Sequence, residues 1–477
     1  MALLEARKRR QAPKTAKKLR CPIICIMGHV DTGKTLILDK LRKTNVQANE
    51  AGGITQQIGA TYFPKENLQK HIQVMANREP FNLEIPGFLV IDTPGHESFT
   101  NLRSRGSSLC DMAVLVVDIM HGLENQTLES IQLLKQKNTP FCIALNKIDR
   151  LNQWRAKPNA NSRDTLDVQE INAQNHFEAQ LQKTILAFNE QGFNVALYWQ
   201  NDSPEDTLSF VPTSAITGEG LSDMVFQLCR MGQTSERENL TEKDVFECTV
   251  LEVKVIEGHG TTIDVVLVNG VLKVGDTIVI SGLNGPIRTN IRALLTPFPM
   301  KEMRVKGEYQ HHNKIKGAMG IKISAPNLDH AIAGSELFKC SNEQEVQDAI
   351  DQIEGDLVDI LEKYVDKTKN GVCVQASTIG SLEALLEFLY QSKIPVSSVN
   401  IGPVHKKDIL KAMKNLVTTS VGVNKEFACM LAFDVKVMPD AMAFAEENNI
   451  KVFTAKIIYH LFDSFTEYVE QCKNERK

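Results

Sequence analysis

With 477 residues, 42% hydrophobic and 23% charged, the chain can bury ordinary cores and should fold as roughly three or four domains, which excludes a fibrous or globally disordered protein. No apolar run approaches the ~20 residues of a bilayer span, Met1 opens onto a basic stretch, and the ten cysteines include no Cys-x-x-Cys pair, so a soluble cytoplasmic protein without membrane span, signal peptide, disulfide framework or thiolate metal site is expected. The net charge of −4 hides an asymmetry, because Arg7, Lys8, Arg9, Arg10, Lys14, Lys17, Lys18 and Arg20 against Glu5 give residues 1–20 a charge of +7 and leave −11 for the rest; an RNA partner would have to meet local patches.

Residues 1–20 read as a basic flexible arm, either a solvated tail or a nucleic-acid contact. From residue 21 to 235, strand-length apolar runs (Ile23 to Met27, Phe88 to Ile91, Val114 to Val117, Phe141 to Leu145) alternate with helical patterns, which predicts an α/β domain with a parallel sheet. The polar stretch Lys157 to His176 reads as a surface insertion. Over 240–340 the period changes to two: Leu251, Val253 and Val255 alternate with charged residues, Gly258-His259-Gly260 turns the chain, and Ile263, Val265 and Leu267 return. That pattern predicts an antiparallel β-barrel. Residues 341–454 return to alternation, with strands near Val372 to Val374, Val396 to Ile401, Ala428 to Phe433 and Ile450 to Phe453, a second α/β sandwich domain. Ile458, Leu461, Phe462, Phe465 and Val469 then recur at helical spacing, an amphipathic helix over 455–477. Most cysteines are expected to be buried as small apolar residues.

Gly28-His29-Val30-Asp31-Thr32-Gly33-Lys34-Thr35 follows the first strand and opens a helix, which is the G-x-x-x-x-G-K-[ST] phosphate loop in its required context. Its glycines let backbone N–H groups wrap a phosphate, Lys34 adds a point charge, and the Thr35 hydroxyl can ligate Mg²⁺. Asp92-Thr93-Pro94-Gly95-His96 ends another strand; alone it could be an Asp-Pro-Gly turn, but Asp92 there can hold Mg²⁺ through water and the Gly95 N–H can sense a γ-phosphate. Asn146-Lys147-Ile148-Asp149 ends a third. Guanine offers N1–H and an exocyclic amine side by side, two donors that the Asp149 carboxylate can accept and that adenine lacks. Thr213-Ser214-Ala215 follows a further strand, where a backbone N–H could meet guanine O6.

Four ordered motifs on one sheet make a GTP-binding domain. The chain resembles the translational GTPases and, over nearly all its length, the eukaryotic and archaeal translation initiation factor five B family. The resemblance is carried by Gly28 to Thr35, by Ala51-Gly52-Gly53-Ile54-Thr55-Gln56-Gln57-Ile58-Gly59-Ala60-Thr61, by Asp92 to Phe99, and by Gly260-Thr261-Thr262-Ile263-Asp264-Val265-Val266-Leu267-Val268-Asn269-Gly270. Thr32, where elongation factors and the bacterial homologue usually have His, and the Gln56-Gln57 pair argue against a bacterial-type initiation factor or an elongation factor, the nearest alternative. An ATP-using enzyme would have no use for Asn146 and Asp149, and a scaffold with a dead site would be expected to have lost Lys34, Asp92 or His96.

The resemblance implies a ribosome-dependent GTPase that promotes subunit joining and hydrolyses GTP to leave. Thr55 would be a Mg²⁺ ligand in the first switch, and the second switch would begin at Asp92. Asp31 and the backbone near Gly53 would hold a monovalent cation, K⁺ or Na⁺, in place of an arginine finger. His96 would orient the attacking water, with Val30 and Ile54 as an apolar gate. Arg103 and Arg105 are read as structural or ribosomal contacts. The nucleotide-binding set is then Asp31, Thr32, Gly33, Lys34, Thr35, Gly95, Asn146, Lys147, Asp149, Ser214 and Ala215. Implied partners are the ribosome, with large-subunit RNA as activator and the small subunit as second contact, and other initiation factors; a monomer is expected. In the family the terminal helix leads to a fourth domain that holds initiator tRNA; the sequence stops within that helix, so tRNA recognition is not expected.

Overall fold

The structure, a computed structural model, describes residues 19–44, 59–75, 81–92, 110–364, 371–417 and 427–475, with breaks at 205, 235–236, 238–239, 242–244, 257–259, 284, 304–307, 378–381, 383–384, 387, 391 and 456–457. The first sheet consists of β1 (Ile23–Met27), β2 (Gly59–Pro64), β3 (Gly87–Asp92), β4 (Met112–Asp118), β5 (Phe141–Asn146), β6 (Asn194–Leu197) and β7 (Thr207–Pro212), in the order β2-β3-β1-β4-β5-β7-β6. Neighbours are parallel except β2 and β3. Every residue of β1, β4 and β5 is buried, the physical reason for their unbroken apolar runs.

Among the described residues the helices around this sheet are α1 (Lys34–Arg42), α2 (Lys65–Met75), α3 (Asn125–Lys137), α4 (Ser162–Asp167), α5 (Ile171–Glu190) and α6 (Leu221–Gln233). On one face Ile24, Ile26, Val114 and Val116 pack with Ile37 and Leu38 of α1, Leu68 of α2 and Met224 of α6. On the other, Leu115, Val117, Ile143 and Leu145 pack with Ile131 of α3 and Phe177 of α5. The alternation of residues 114 to 117 between two cores is the period of two expected of a strand covered on both sides.

The stretch Lys157 to His176 runs along the surface, with Lys157, Pro158, Asn159, Arg163, Asp167 and Val168 exposed, yet it is tied to the body of the domain. Asn161 caps α4 by accepting the Arg163 N–H at 2.9 Å, and the Ser162 N–H donates to the buried Asp223 carboxylate at 2.9 Å. The Asn159 N–H donates to Thr217 O and the Gly220 N–H to Ala160 O, so the stretch buttresses the loop after β7. Most of these bonds run through backbone N–H groups, which composition does not show.

The second unit contains β8 (Glu247–Ile256), β9 (Gly260–Asn269), β10 (Val271–Lys273), β11 (Thr277–Ile280), β12 (Ile287–Asn290), β13 (Ala293–Pro297), β14 (Tyr309–His312), β15 (Lys314–Lys316), β16 (Met319–Ser324) and β17 (Leu337–Cys340). Sheets β14-β13-β16-β9-β8, β12-β11-β17 and β10-β15 wrap one core of Val250, Ile263, Val265, Leu267, Ile278 and Ile321. The predicted hairpin is present with Val253 opposite Ile263, but the register shifts between Val250 and Glu252. That irregularity turns Val250 into the barrel core and Leu251 outward. Leu251, Val266, Met303 and Ala318 pack against Ile23, Cys25, Leu89 and Ile91, so the barrel covers the part of the first sheet that lies beside β1 and β3. Met300 and Met303 donate backbone N–H bonds to Tyr62 O and Ala60 O at 3.1 Å, pairing the otherwise open edge of β2.

The third unit has β18 (Val372–Ala376), β19 (Val396–Ile401), β20 (Cys429–Phe433) and β21 (Lys451–Ala455), all parallel in the order β19-β18-β20-β21. Its helices include α7 (Glu343–Tyr364), α8 (Lys406–Val417), α9 (Pro439–Glu447) and α10 (Ile458–Glu475). The start of α7 packs on the barrel, where Val346, Ala349 and Ile353 meet Val279 and Cys340. Leu461 and Phe465 of α10 lie in the core of the third sheet, so this half of the helix is part of the domain. Nine of the ten cysteines are buried and all are free. Leu19 bridges to Thr241, and Arg20 pairs with Asp111 through two contacts of 2.6 and 2.7 Å; these last two residues of the predicted arm are therefore packed. Residues 1–18 lie outside the described residues.

Candidate functional site

The carboxyl ends of β1, β3, β4, β5 and β7 meet along one edge, and every predicted site residue that the structure describes falls there. The turn after β1 needs its glycines. Gly28 has φ 139° and a Cβ there would stand 2.3 Å from Val116 O; Gly33 has φ 91° and a Cβ would stand 2.6 Å from the Asn146 amide nitrogen. Asp31 is itself left-handed at φ 64°. Gly33 is the N-cap of α1, whose first residues are Lys34 and Thr35, so backbone N–H groups and the positive end of the helix converge on the loop.

Lys34 Nζ donates to Gly28 O at 2.9 Å and His29 O at 2.7 Å, closing the loop around its own cation. Burial pushes the Lys34 ammonium down to about 8, with Asp92 and Asp31 opposing that shift. The Thr35 hydroxyl lies 3.3 Å from Asp92 Oδ2, which brings two oxygen donors together at the start of α1. Among the described residues no group of three or more His, Cys, Asp or Glu side chains forms a metal cage. A metal here would therefore draw ligands from a hydroxyl, one carboxylate, water and phosphate, the donor set that suits Mg²⁺.

On the base side, Asn146 is fully buried and ties three segments together. Its amide donates to Thr32 O at 2.7 Å, and its oxygen accepts the Ala215 N–H at 3.1 Å and the Thr213 hydroxyl at 3.4 Å. Asp149, in the 3₁₀ turn Ile148–Arg150, accepts the Ser214 hydroxyl at 2.6 Å, and Ser214 Oγ in turn accepts the Thr217 N–H at 3.1 Å. The N–H groups of Ser214 and Ala215 are both engaged, by Glu219 O and Asn146 Oδ1, so an incoming guanine O6 would have to share the Ala215 donor. Lys147 is left-handed at φ 70° and its ammonium lies 2.7 Å from Asp118 Oδ2.

Gly53, Thr55, Gly95 and His96, with Ile54, Arg103 and Arg105, lie outside the described residues. Sequence reasoning missed Asp118, His29 paired with Glu124 at 2.8 Å, and Gln126, whose side-chain oxygen accepts the Val30 N–H at 3.0 Å. Only Asp118 carried a signal, since it is the polar residue that ends the apolar run Val114 to Val117 at the sheet edge where ligand groups gather.

Two family profiles match the chain: the elongation factor Tu GTP binding domain over residues 19–257, and translation-initiation factor 2 over residues 344–466. The chain is 54% identical to eukaryotic translation initiation factor 5B of Saccharomyces cerevisiae, over 97% of this chain and 45% of that protein, and 49% identical to the Homo sapiens factor, over 97% and 37%. It thus spans less than half the length of these relatives. A Methanosarcina barkeri protein described as a probable translation initiation factor IF-2 is 40% identical over 95% of this chain and 75% of its own length. The structure of GDP-bound aIF5B from Aeropyrum pernix superposes with a TM-score of 0.79 at 38% identity, over 96% of this chain and 76% of that one. With the phosphate loop, the guanine-side residues and all three units accounted for, the chain belongs to the translation initiation factor 5B family of GTP-binding translation factors.

Proposed function

We propose that the first domain binds GTP with Mg²⁺ and hydrolyses it to GDP and phosphate when the ribosome engages the chain, a GTP-controlled step in the joining of ribosomal subunits. The observation that carries this reading is Asn146, which holds Thr32 of the phosphate loop at 2.7 Å and the Ala215 N–H at 3.1 Å. One buried side chain thus joins the phosphate-binding and base-binding halves of the cleft, beside a carboxylate able to read guanine.

Hydrolysis transfers the γ-phosphoryl group to water. The water oxygen bonds to the γ-phosphorus, the bond to the β–γ bridging oxygen breaks, and its electron pair leaves with GDP. Lys34, Gly33, Thr32 and Asp31 belong to the loop that would hold the phosphates, Gly95 would sense the γ-phosphate, and His96 would orient the water. Thr35, Asp92 and Thr55 would hold Mg²⁺, which supplies charge neutralisation on the phosphate oxygens. Asp31, exposed at the loop, and Gly53 would hold K⁺ or Na⁺. Large-subunit RNA is the proposed activator, the small subunit and other initiation factors are further partners, and the cytoplasm is the place of action. No helix among the described residues is long and apolar enough to cross a membrane. GTP turnover measured with and without assembled ribosomes tests the reading; turnover that ribosomes leave unchanged would overturn it.

Asp149→Asn should lower GTP affinity and raise that for xanthosine triphosphate, since the amide presents a donor to the altered purine edge. Competition between the two nucleotides checks this, and an unchanged preference would remove Asp149 from the base contact. The arm is tested by deleting residues 1–18, which spares the packed Leu19 and Arg20. Its loss should lower the salt slope of ribosome binding by up to the number of phosphate contacts removed. An unchanged slope would identify a solvated tail.

A further inference from the structure

Asp118 belongs to none of the nucleotide-binding motifs, yet it ends β4 directly opposite Asn146 in the β4–β5 ladder. Its side chain is 4% exposed and takes part in three contacts. The Met120 N–H donates to Oδ1 at 2.9 Å, while His121 Nδ1 at 3.0 Å and Lys147 Nζ at 2.7 Å share Oδ2. Burial opposes ionisation of this carboxyl, but the hydrogen bonds from Lys147, Met120 and His121, together with the charge of Lys147, outweigh it and hold the group below the ordinary carboxylate range. A tight turn supports the arrangement, with the Gly122 N–H donating to Asp118 O at 2.8 Å.

Lys147 stands between Asn146 and Asp149 with its backbone in the left-handed region. A free lysine side chain has many rotamers to lose when it is held in one place. Fixing its ammonium on Asp118 ties the four methylenes between the Asn146–Asp149 motif and the end of β4. Those methylenes are apolar, and Lys147 stands two positions before the proposed edge-reading Asp149.

We propose that Asp118 is a positioning residue for guanine nucleotides, locking the Lys147 side chain as a wall for the purine ring before the nucleotide arrives. The inference rests on the reading of this cleft as a guanine-nucleotide site. A wall touches the face of the ring and not its edge, so Asp118 contributes affinity without choosing the base. It also lies on the base side of the cleft, so GDP and GTP depend on it equally.

The test is a cycle of GDP and GTP titrations on the full chain, comparing parent, Asp118→Asn, Lys147→Met and the double variant. Asn keeps the shape and an acceptor for the Met120 N–H. Each single change is expected to weaken both nucleotides by about tenfold, the scale of one hydrogen bond to a charged group. The double variant should be within about twofold of the weaker single one, since Asp118 acts through Lys147. The preference for GDP over xanthosine diphosphate should be retained in Asp118→Asn. His121→Ala, which leaves the Asp118–Lys147 pair in place, should bind GDP as the parent does. Losses that multiply in the double variant, an undiminished affinity in Asp118→Asn, or a loss in His121→Ala equal to that in Asp118→Asn would each overturn the inference. A parent chain that binds no guanine nucleotide would overturn the underlying site reading, and the inference with it.

Discussion

Replacing His96 with Ala should leave GTP and GDP affinities within about threefold of the parent while lowering ribosome-stimulated hydrolysis by about a thousandfold or more, the scale on which positioned groups act in phosphoryl transfer. The separation follows from what the imidazole is proposed to do. Orienting a water against the γ-phosphorus is an interaction realised on the way to the transition state, so its loss appears in the turnover rate and not in binding. Affinity is proposed to rest on other groups: the loop around Lys34, the Thr35 hydroxyl, and the Asn146, Asp149 and Ser214 network. Single-turnover hydrolysis with ribosomes in excess, beside nucleotide titrations without them, measures the two quantities separately. Equal stimulated rates for variant and parent would remove His96 from the chemistry. A parallel fall in affinity would instead make it part of the binding site.

The sequence made the first sheet legible because doubly buried strands leave no polar residue inside them: β1 has the predicted bounds, and β4 differs only at its ends. The phosphate loop was legible for a related reason, since a turn at φ 139° beside Val116 O admits little but glycine. Less was visible where the meaning of a residue depends on a distant partner. Leu251 was expected on the same face as Val253, and a register shift between Val250 and Glu252 moves it into the interface with β1 and β3. Asn159 and Ser162 looked like loop residues because the bonds of their N–H groups to Thr217 and Asp223 span about sixty positions. Gln126 was missed likewise, since neither spacing nor residue type shows that its amide oxygen will meet the Val30 N–H, and for Asp118 the sequence marks the sheet edge but not the contact with Lys147.

Arg42→Met should destabilise the joint between the first domain and the barrel by about 3–5 kcal/mol, the cost of breaking a buried ion pair by removing one partner. Arg42 lies in the last turn of α1, the helix that begins at the phosphate loop. Its guanidinium contacts Asp39 Oδ1 at 3.1 Å, Thr61 Oγ1 of β2 at 3.0 Å and Glu302 Oε2 of the barrel at 3.1 Å. The side chains of Arg42 and Glu302 are both 0% exposed, so water cannot replace the lost cation. Methionine fills most of the volume but removes the cation that both buried carboxylates contact. Changing Glu302 to Met as well removes one of those carboxylates, so the double variant should recover part of the loss, which an ordinary packing defect would not. Because Glu302 sits in the segment that pairs β2 through Met300 and Met303, the weakened joint should also uncouple the two units. Unfolding followed by one probe in each unit should give coincident transitions for the parent and separate ones for Arg42→Met. Saturating GDP should raise the first-domain transition in both proteins, by about 2.7 kcal/mol at a hundred times the dissociation constant, because the loop at the other end of α1 is untouched. A variant within 1 kcal/mol of the parent with coincident transitions would show that the apolar packing of Leu251, Val266 and Met303 holds the joint without the ion pair.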